Sequence, residues 1–267
     1  DYLKKFGINQ KTGVDLVGEG KGIMLNESIV KNVDLARIGF GQAVAVTPIG
    51  LCSAVSSCIN GGYKVTPYIL NNITDSNFGV VQGNSPKLGS RVISNATSEK
   101  VKEMLYGVVE QGSGKYAYIP GYKIGGKTGT AQKYENGVIA RGKYVSSFLG
   151  FTSVGGEDYL CLMTVDEPQG YVYYGSLVAG PYVGELFANI FNYKGYKPQY
   201  SEEDLKVLGK VIEMPNLLDM SAEEAVKVLK SLGIPYEVEG EGGKVIGQLP
   251  APKADVRYNT VALVRLG

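Results

Sequence analysis

Residues 121–132, Gly-Tyr-Lys-Ile-Gly-Gly-Lys-Thr-Gly-Thr-Ala-Gln, constrain the fold more tightly than any other stretch, because their two readings require incompatible surroundings. Read as Gly121-x-x-x-x-Gly126-Lys127-Thr128, they spell a phosphate-binding loop, which needs an apolar strand running into the glycines and an unbroken helix leaving Lys-Thr. Read as Lys127-Thr128-Gly129-Thr130, they belong to a strand, and more strands must come after it. The flanks favour the second. Pro120 interrupts the segment where the entering strand would have to be continuous, and Gly129 with Asn136-Gly137 leaves no helix of useful length. Leu160 to Glu167 does imitate the acidic strand that accompanies a phosphate loop, yet Pro168 and the turn before it fit a β-meander better. A P-loop nucleotide hydrolase therefore stands as the alternative.

The meander is legible from its turns. Asn136-Gly137 is a two-residue hairpin signal, and the β-rich runs 144–152 and 159–165 are joined by a second turn centred on Gly155-Gly156. Residues 127–132 are predicted as the edge strand of this antiparallel sheet. Helices should cover it. Thr47-Pro48 has the grammar of a helix start and Asn60-Gly61-Gly62 of a stop. Between them Cys52, Ala54, Val55, Cys58 and Ile59 cover most of the circumference, which predicts a helix buried nearly all round. Residues 94–110 carry Val101, Met104, Leu105, Val108 and Val109 at helical spacing, and residues 181–191 place Leu186, Ile190 and Phe191 among the apolar positions of a closing helix. At the start, Asp1 to Lys5 reads as the tail of a helix ended by Phe6-Gly7.

From Asn192 to about Lys206 the composition turns to Tyr, Lys, Gly, Pro, Ser and Glu, as in a linker. The rest of the chain reads as a separate small unit. Its helix opens with the capping box Ser221-x-x-Glu224, carries Ala225, Val228, Leu229 and Leu232, and stops at Gly233. Strand-like runs 236–238, 245–247 and 261–266 come after it. The fold class is α/β of the α+β kind: an antiparallel sheet with packed helices, then a small α+β domain.

Charge and composition narrow the chemistry. With 27 Lys+Arg against 26 Asp+Glu, no net field draws in nucleic acid. Histidine is absent, which removes a Ser-His-Asp triad and any His-liganded metal. Cys52, Cys58 and Cys161 fit neither a disulfide framework nor a zinc spacing and read as free packing thiols. No metal or cofactor is expected. Nor does any run of ~20 apolar residues suggest a membrane span.

An edge strand bearing Lys-Thr-Gly-Thr makes chemical sense on its own. Lys127 would project an ammonium into a cleft, Thr128 and Thr130 would offer hydroxyls, and Gly129 would let a substrate backbone lie close. Such a cleft would bind a terminal carboxylate, with the Thr130 N–H donating to an oxyanion formed on the neighbouring carbonyl.

The order of motifs carries a resemblance. Phe40-Gly41-Gln42 through Thr47-Pro48, Asn60-Gly61-Gly62, Val108-Val109-Glu110-Gln111-Gly112-Ser113-Gly114, Lys127 through Gln132, and Ser147-Phe148-Leu149-Gly150-Phe151 occur as they do in class B penicillin-binding proteins. Residues 1–192 resemble the C-terminal part of their transpeptidase domain, residues 193–207 a linker, and residues 208–267 a PASTA domain. The PASTA likeness rests on Met214-Pro215-Asn216-Leu217, Ala225, Leu229, Gly233, Val245 and Gln248-x-Pro250; it departs at Ala254, near where a glycine is common. One PASTA module is more similar to the spore-cortex enzyme of this family than to division enzymes carrying two.

That resemblance implies a peptidoglycan D,D-transpeptidase working through a serine acyl-enzyme, with stem peptides as substrates, β-lactams as inhibitors, and a lipid II polymerase as a partner. It also implies a membrane anchor upstream and catalysis on the extracytoplasmic face of the cell membrane. Lys127, Thr128, Gly129 and Thr130 would bind substrate, and the Thr130 N–H would serve the oxyanion. The family's Ser-x-x-Lys and Ser-x-Asn motifs should precede Lys127 and are missing here. Ser28-Ile29-Val30-Lys31 spells the first but sits just before Gly41-Gln42, where the family has a surface connection, and Tyr134-Glu135-Asn136 imitates the second but comes after Lys127. The nucleophilic serine and its lysine are therefore expected outside this chain, which alone should be inactive. A non-catalytic wall-binding protein is a further alternative.

Overall fold

A computed structural model describes residues 1–267 apart from Gly137, Gly170, Tyr171, Tyr258 and Asn259. Its organising element is the expected meander. Strands β1 (Ile124–Glu135), β2 (Val138–Val154) and β3 (Glu157–Asp166) pair antiparallel in that order, with β2 in the middle. Gly155 and Gly156 turn the second hairpin with φ of +62° and +79°, the left-handed pair that matches the twist of the strands they join. At the first hairpin Asn136 has φ +52°, and Gly137 lies outside the described residues.

Successive side chains of a strand point to opposite faces, so Phe148 and Phe151 of β2 face opposite ways. Both are fully buried, because helices cover both faces of the sheet. Helices α1 (Pro48–Ile59) and α2 (Asn95–Glu110) bring Ile59 and Tyr106 onto Phe151, with the Tyr106 and Phe151 ring centroids 5.1 Å apart. The short helix α3 (Gly175–Val178) and helix α4 (Gly180–Lys194) lie on the other face, where Val183, Phe187 and Phe191 bury Phe148 and Ile124.

Three side-chain expectations change. α1 starts as expected, its Thr47 hydroxyl accepting from Gly50 N at 3.1 Å, but only Ala54, Ser57 and Ile59 are buried. It packs on α2, β3 and the strand Tyr63–Val65, and Cys52, Val55 and Cys58 are half-buried there rather than fully enclosed. In α2, Met104 is exposed and Tyr106 takes the buried place. Ser98 fixes that rotation: it donates to Cys58 O at 2.8 Å and accepts from Gly61 N at 3.1 Å, a polar contact that hydrophobic spacing cannot reveal. In α4 the buried stripe is Val183, Phe187 and Phe191, spaced by four, and Leu186 points outward. The three cysteines are free and half-buried.

The segment read as a linker contains a helix, α5 (Glu202–Gly209), opened by a capping box between Ser201 and Asp204. Beyond it, α6 (Ala222–Leu232) packs on a small sheet of β4 (Tyr236–Glu239), β5 (Val245–Leu249) and β6 (Ala262–Leu266). β6 is central, parallel to β4 and antiparallel to β5. Ala225 and Leu229 join Met214, Leu217, Val245, Val256 and Val264 in its core. Ser221 and Glu224 cap α6 reciprocally, and Gly233 ends it at φ +69°. Gln248 is structural: its side-chain oxygen accepts from Leu217 N at 2.7 Å, and its nitrogen donates to Pro215 O and Pro250 O.

Candidate active site

β1 is the outer strand of the meander, so along its free side alternate backbone N–H and C=O groups have no strand partner among the described residues. Lys127, Thr128, Gly129 and Thr130 stand on it opposite Leu149, Phe148, Ser147 and Ser146. Paired residues share a face, which splits the four. Thr128 and Thr130 lie on the α3–α4 face with Phe148, while Lys127 and Gly129 lie on the α1–α2 face. They converge only at the strand edge. A phosphate loop is excluded, because Lys127 and Thr128 sit inside a twelve-residue strand rather than at a helix N-terminus.

Each position has a local reason. Gly125 and Gly126 run over the two phenylalanines: a Cβ at Gly125 would stand 2.2 Å from Phe151, and one at Gly126 2.5 Å from Phe148. The strand enters the sheet flush against the core only without side chains there. Next, Lys127 is exposed and its ammonium reaches the Thr128 carbonyl at 2.9 Å. It makes no ion pair with the described residues. Thr130 is half-buried, and its hydroxyl accepts from Gly175 N at 3.2 Å.

Sequence reasoning missed the wall beside Thr130. Gly175 presses on both strands, since a Cβ there would meet Ser147 O at 2.1 Å and Gly129 O at 2.4 Å. Just before it, Tyr173 accepts at its carbonyl from Ser146 Oγ and stacks on Tyr144 with ring centroids 4.1 Å apart. Tyr174 lies against Tyr173 at 4.6 Å, its ring tilted by 30°. The signal was the pair of aromatics directly preceding a glycine, but its contact with Thr130 spans 45 residues of sequence.

Neither motif mimic lies in a catalytic arrangement. Ser28 is exposed in a 3-10 turn and donates its hydroxyl to Asn26 at 3.1 Å. Tyr134, Glu135 and Asn136 form the first hairpin, where Tyr134 accepts from Arg37 and Glu135 pairs with Lys143. A cavity of about 240 Å³ lies elsewhere, lined by Phe6, Lys11, Ser53, Lys64 and Ser90 among others. The candidate site is an open strand edge. Among the described residues no cluster of His, Cys, Asp and Glu could hold a metal, and no helix is long and apolar enough to cross a membrane.

Comparison with known proteins bears on this geometry. Residues 1–191 match the penicillin binding protein transpeptidase domain. The chain belongs to that family. Residues 212–265 match the PASTA domain. Stage V sporulation protein D of Bacillus subtilis is 37% identical over 99% of this chain, and the chain spans 41% of that relative's length. A peptidoglycan D,D-transpeptidase FtsI homolog of Mesostigma viride is 33% identical over 62% of the chain and 30% of its own length. Among solved structures, penicillin binding protein 3 of Mycobacterium tuberculosis complexed with ampicillin is similar with a TM-score of 0.67 and 25% identity, over 76% of this chain and 47% of that one.

Proposed function

We propose that this penicillin-binding family chain supplies the substrate and oxyanion strand of a serine peptidoglycan D,D-transpeptidase. The observation that carries the proposal is Lys127, an ammonium without a counter-ion among the described residues, on the outer strand of the sheet. An anion supplied from outside is its natural complement, and the terminal carboxylate of a stem peptide or a β-lactam has that charge. The ampicillin complex of a similar structure supports the β-lactam half of this reading.

In the proposed reaction a serine hydroxyl attacks the carbonyl of the penultimate D-Ala, its proton passing to the lysine of the Ser-x-x-Lys motif. The oxyanion accepts from the Thr130 N–H, the C–N bond breaks, and D-Ala leaves with a proton on its amine. A second stem's amine then attacks the ester and releases the serine. Both serine and base lie on sequence outside this chain. Lys127 holds the carboxylate, Gly129 lets the peptide approach, and the hydroxyls of Thr128 and Thr130 line the path. The sporulation relative favours spore-cortex over septal synthesis. An upstream anchor, catalysis on the extracytoplasmic face and a lipid II polymerase partner complete the proposal.

Labelled penicillin tests it. The longer protein should form a covalent adduct, and this chain alone should form none. Mass spectrometry that found the adduct on Ser28 of this chain would overturn the assignment of the nucleophile.

A further inference from the structure

Residues 193–207 have the composition of a tether, yet the segment is held down at successive points. Tyr122 donates its hydroxyl to Tyr196 O at 2.9 Å, Gln199 N donates to Gly121 O at 2.8 Å, and Tyr118 donates its hydroxyl to Asp204. Helix α5 buries an acid and no apolar residue: Asp204 is 7% exposed and is the buried residue of that helix. Burying a carboxylate is unfavourable unless hydrogen bonds replace its water. Here one oxygen accepts from Ser201 N at 2.6 Å and Ser201 Oγ at 2.7 Å, and the other accepts from Tyr118. The first pair is a local helix cap. The Tyr118 bond reaches across 86 residues.

Gly121 completes the seat. Its φ is +82°, and a Cβ there would stand 2.4 Å from Pro198 and 3.0 Å from Tyr200, so only glycine lets the two segments lie flush. Tyr196 is an apolar anchor at the start of the segment, against Tyr159 and Phe191, whereas the Tyr118–Asp204 contact at its end has a single geometry that is either made or broken.

We propose that residues 201–209 are a latch: Asp204, seated on Tyr118, locks the start of the C-terminal module to the loop that feeds β1, and breaking that bond loosens α5 and that loop together while residues 196–199 stay anchored. The positions of the flanking elements give the latch its reach. α5 ends at Gly209 and the next strand begins at Ile212, so a fixed α5 fixes where the PASTA module departs. On the other side β1 begins at Ile124, directly after the seated loop. The latch stands on this contact geometry and holds whatever chemistry β1 serves.

Amide hydrogen exchange on the whole 267-residue chain tests it, with Tyr118→Phe, Asp204→Asn, their double variant and Ser201→Ala as a cap-only control. Tyr118→Phe and Asp204→Asn should each raise exchange about tenfold in both 118–123 and 202–209, and the double variant should add little to either. Ser201→Ala should loosen only the first turn of α5. NMR relaxation should show the two modules tumbling together in the parent chain and separately in Asp204→Asn. Exchange that rises only within 202–209 for Asp204→Asn, and nowhere for Tyr118→Phe, would reduce Asp204 to a helix cap and overturn the latch. Independent tumbling in the parent chain would overturn it as well.

Discussion

Lys127 and Lys133 stand on the same strand and have opposite surroundings. Lys133 lies 2.9 Å from Asp166 and 2.8 Å from Glu167, and Lys143 adds Glu135 at 2.6 Å, so the far end of the first hairpin is neutralised from within. Among the described residues Lys127 has only its neighbour's carbonyl. A lysine matched by the protein's own carboxylates adds to the hairpin and offers little to a ligand, because its charge is already answered. A lysine left unmatched on an open edge keeps its full attraction for an anion. The strand thus carries a structural cation at one end and, on the proposed reading, the carboxylate-binding cation at the other.

The largest effect should separate the two ends. Lys127→Ala in the longer protein removes a hydrogen bond to a charged group, worth ~1.5–3 kcal/mol, so penicillin acylation should slow by roughly 10- to 100-fold. Lys133→Ala should leave the acylation rate alone. Equal slowing by both variants, measured by stopped-flow with a labelled penicillin, would break the distinction. Thr130→Val should slow acylation as well, while keeping the backbone N–H.

The glycines sharpen the same contrast by a smaller amount. A Cβ at Gly126 would stand 2.5 Å from Phe148 and 2.9 Å from Leu149 O, where a fully buried ring and backbone cannot yield cheaply. Gly126→Ala should cost ~1–3 kcal/mol of stability, read as a lower urea midpoint of this chain. At Gly129 the Cβ would meet Ser147 Oγ at 2.5 Å, the end of a short side chain that can rotate away. Gly129→Ala should therefore keep the midpoint near that of the parent and slow acylation in the longer protein instead. A large fall in its midpoint would show that Gly129 serves packing rather than substrate approach.

How much of the molecule is legible in its sequence depends on the range of the interaction. Thr47-Pro48, Gly155-Gly156 and Ser221-x-x-Glu224 act within a few residues, and each forms the turn or cap read from it. Lys127 to Gln132 form the expected strand for the same reason, since the flanking Pro120 and Asn136 forbid a helix locally. What failed was the choice of which apolar residue faces inward. Tyr106 displaces Met104 because Ser98 bonds to Cys58 on another helix, and Val183 and Phe187 displace Leu186 because Gly150 leaves room for both against the sheet. Within the site, Lys127 to Thr130 were visible as a motif, but the Gly175 contact with Thr130 and the Tyr144–Tyr173 stack join strands to a distant loop. Ser201-x-x-Asp204 was a readable capping box hidden by the tether-like composition around it.

The smallest expected effect concerns pH at the neutralised end. Glu167 has its pKa held below the ordinary 4.5, first by the hydrogen bond from Lys133, and Lys133 has its own pushed above the ordinary 10.5, first by Glu167 and then by Asp166. A depressed acid stabilises the fold above its unfolded value, and that contribution is lost as pH falls through the folded value. A raised base does so below its unfolded value, and the contribution is lost as pH rises through the folded one. The pair should therefore act as a plateau between about pH 5 and about pH 10, failing on both sides. Both groups are solvent-accessible, so the effect is small and weakened by salt. Subtracting the urea midpoint of Lys133→Ala from that of the parent chain across pH 3–11 isolates it, and the difference should be flat in the middle and shrink at both ends. The same subtraction for Lys127→Ala should show no plateau, because Lys127 has no carboxylate partner among the described residues. A plateau there would reveal an acid paired with Lys127 in solution and remove the ground for calling it the carboxylate-binding cation.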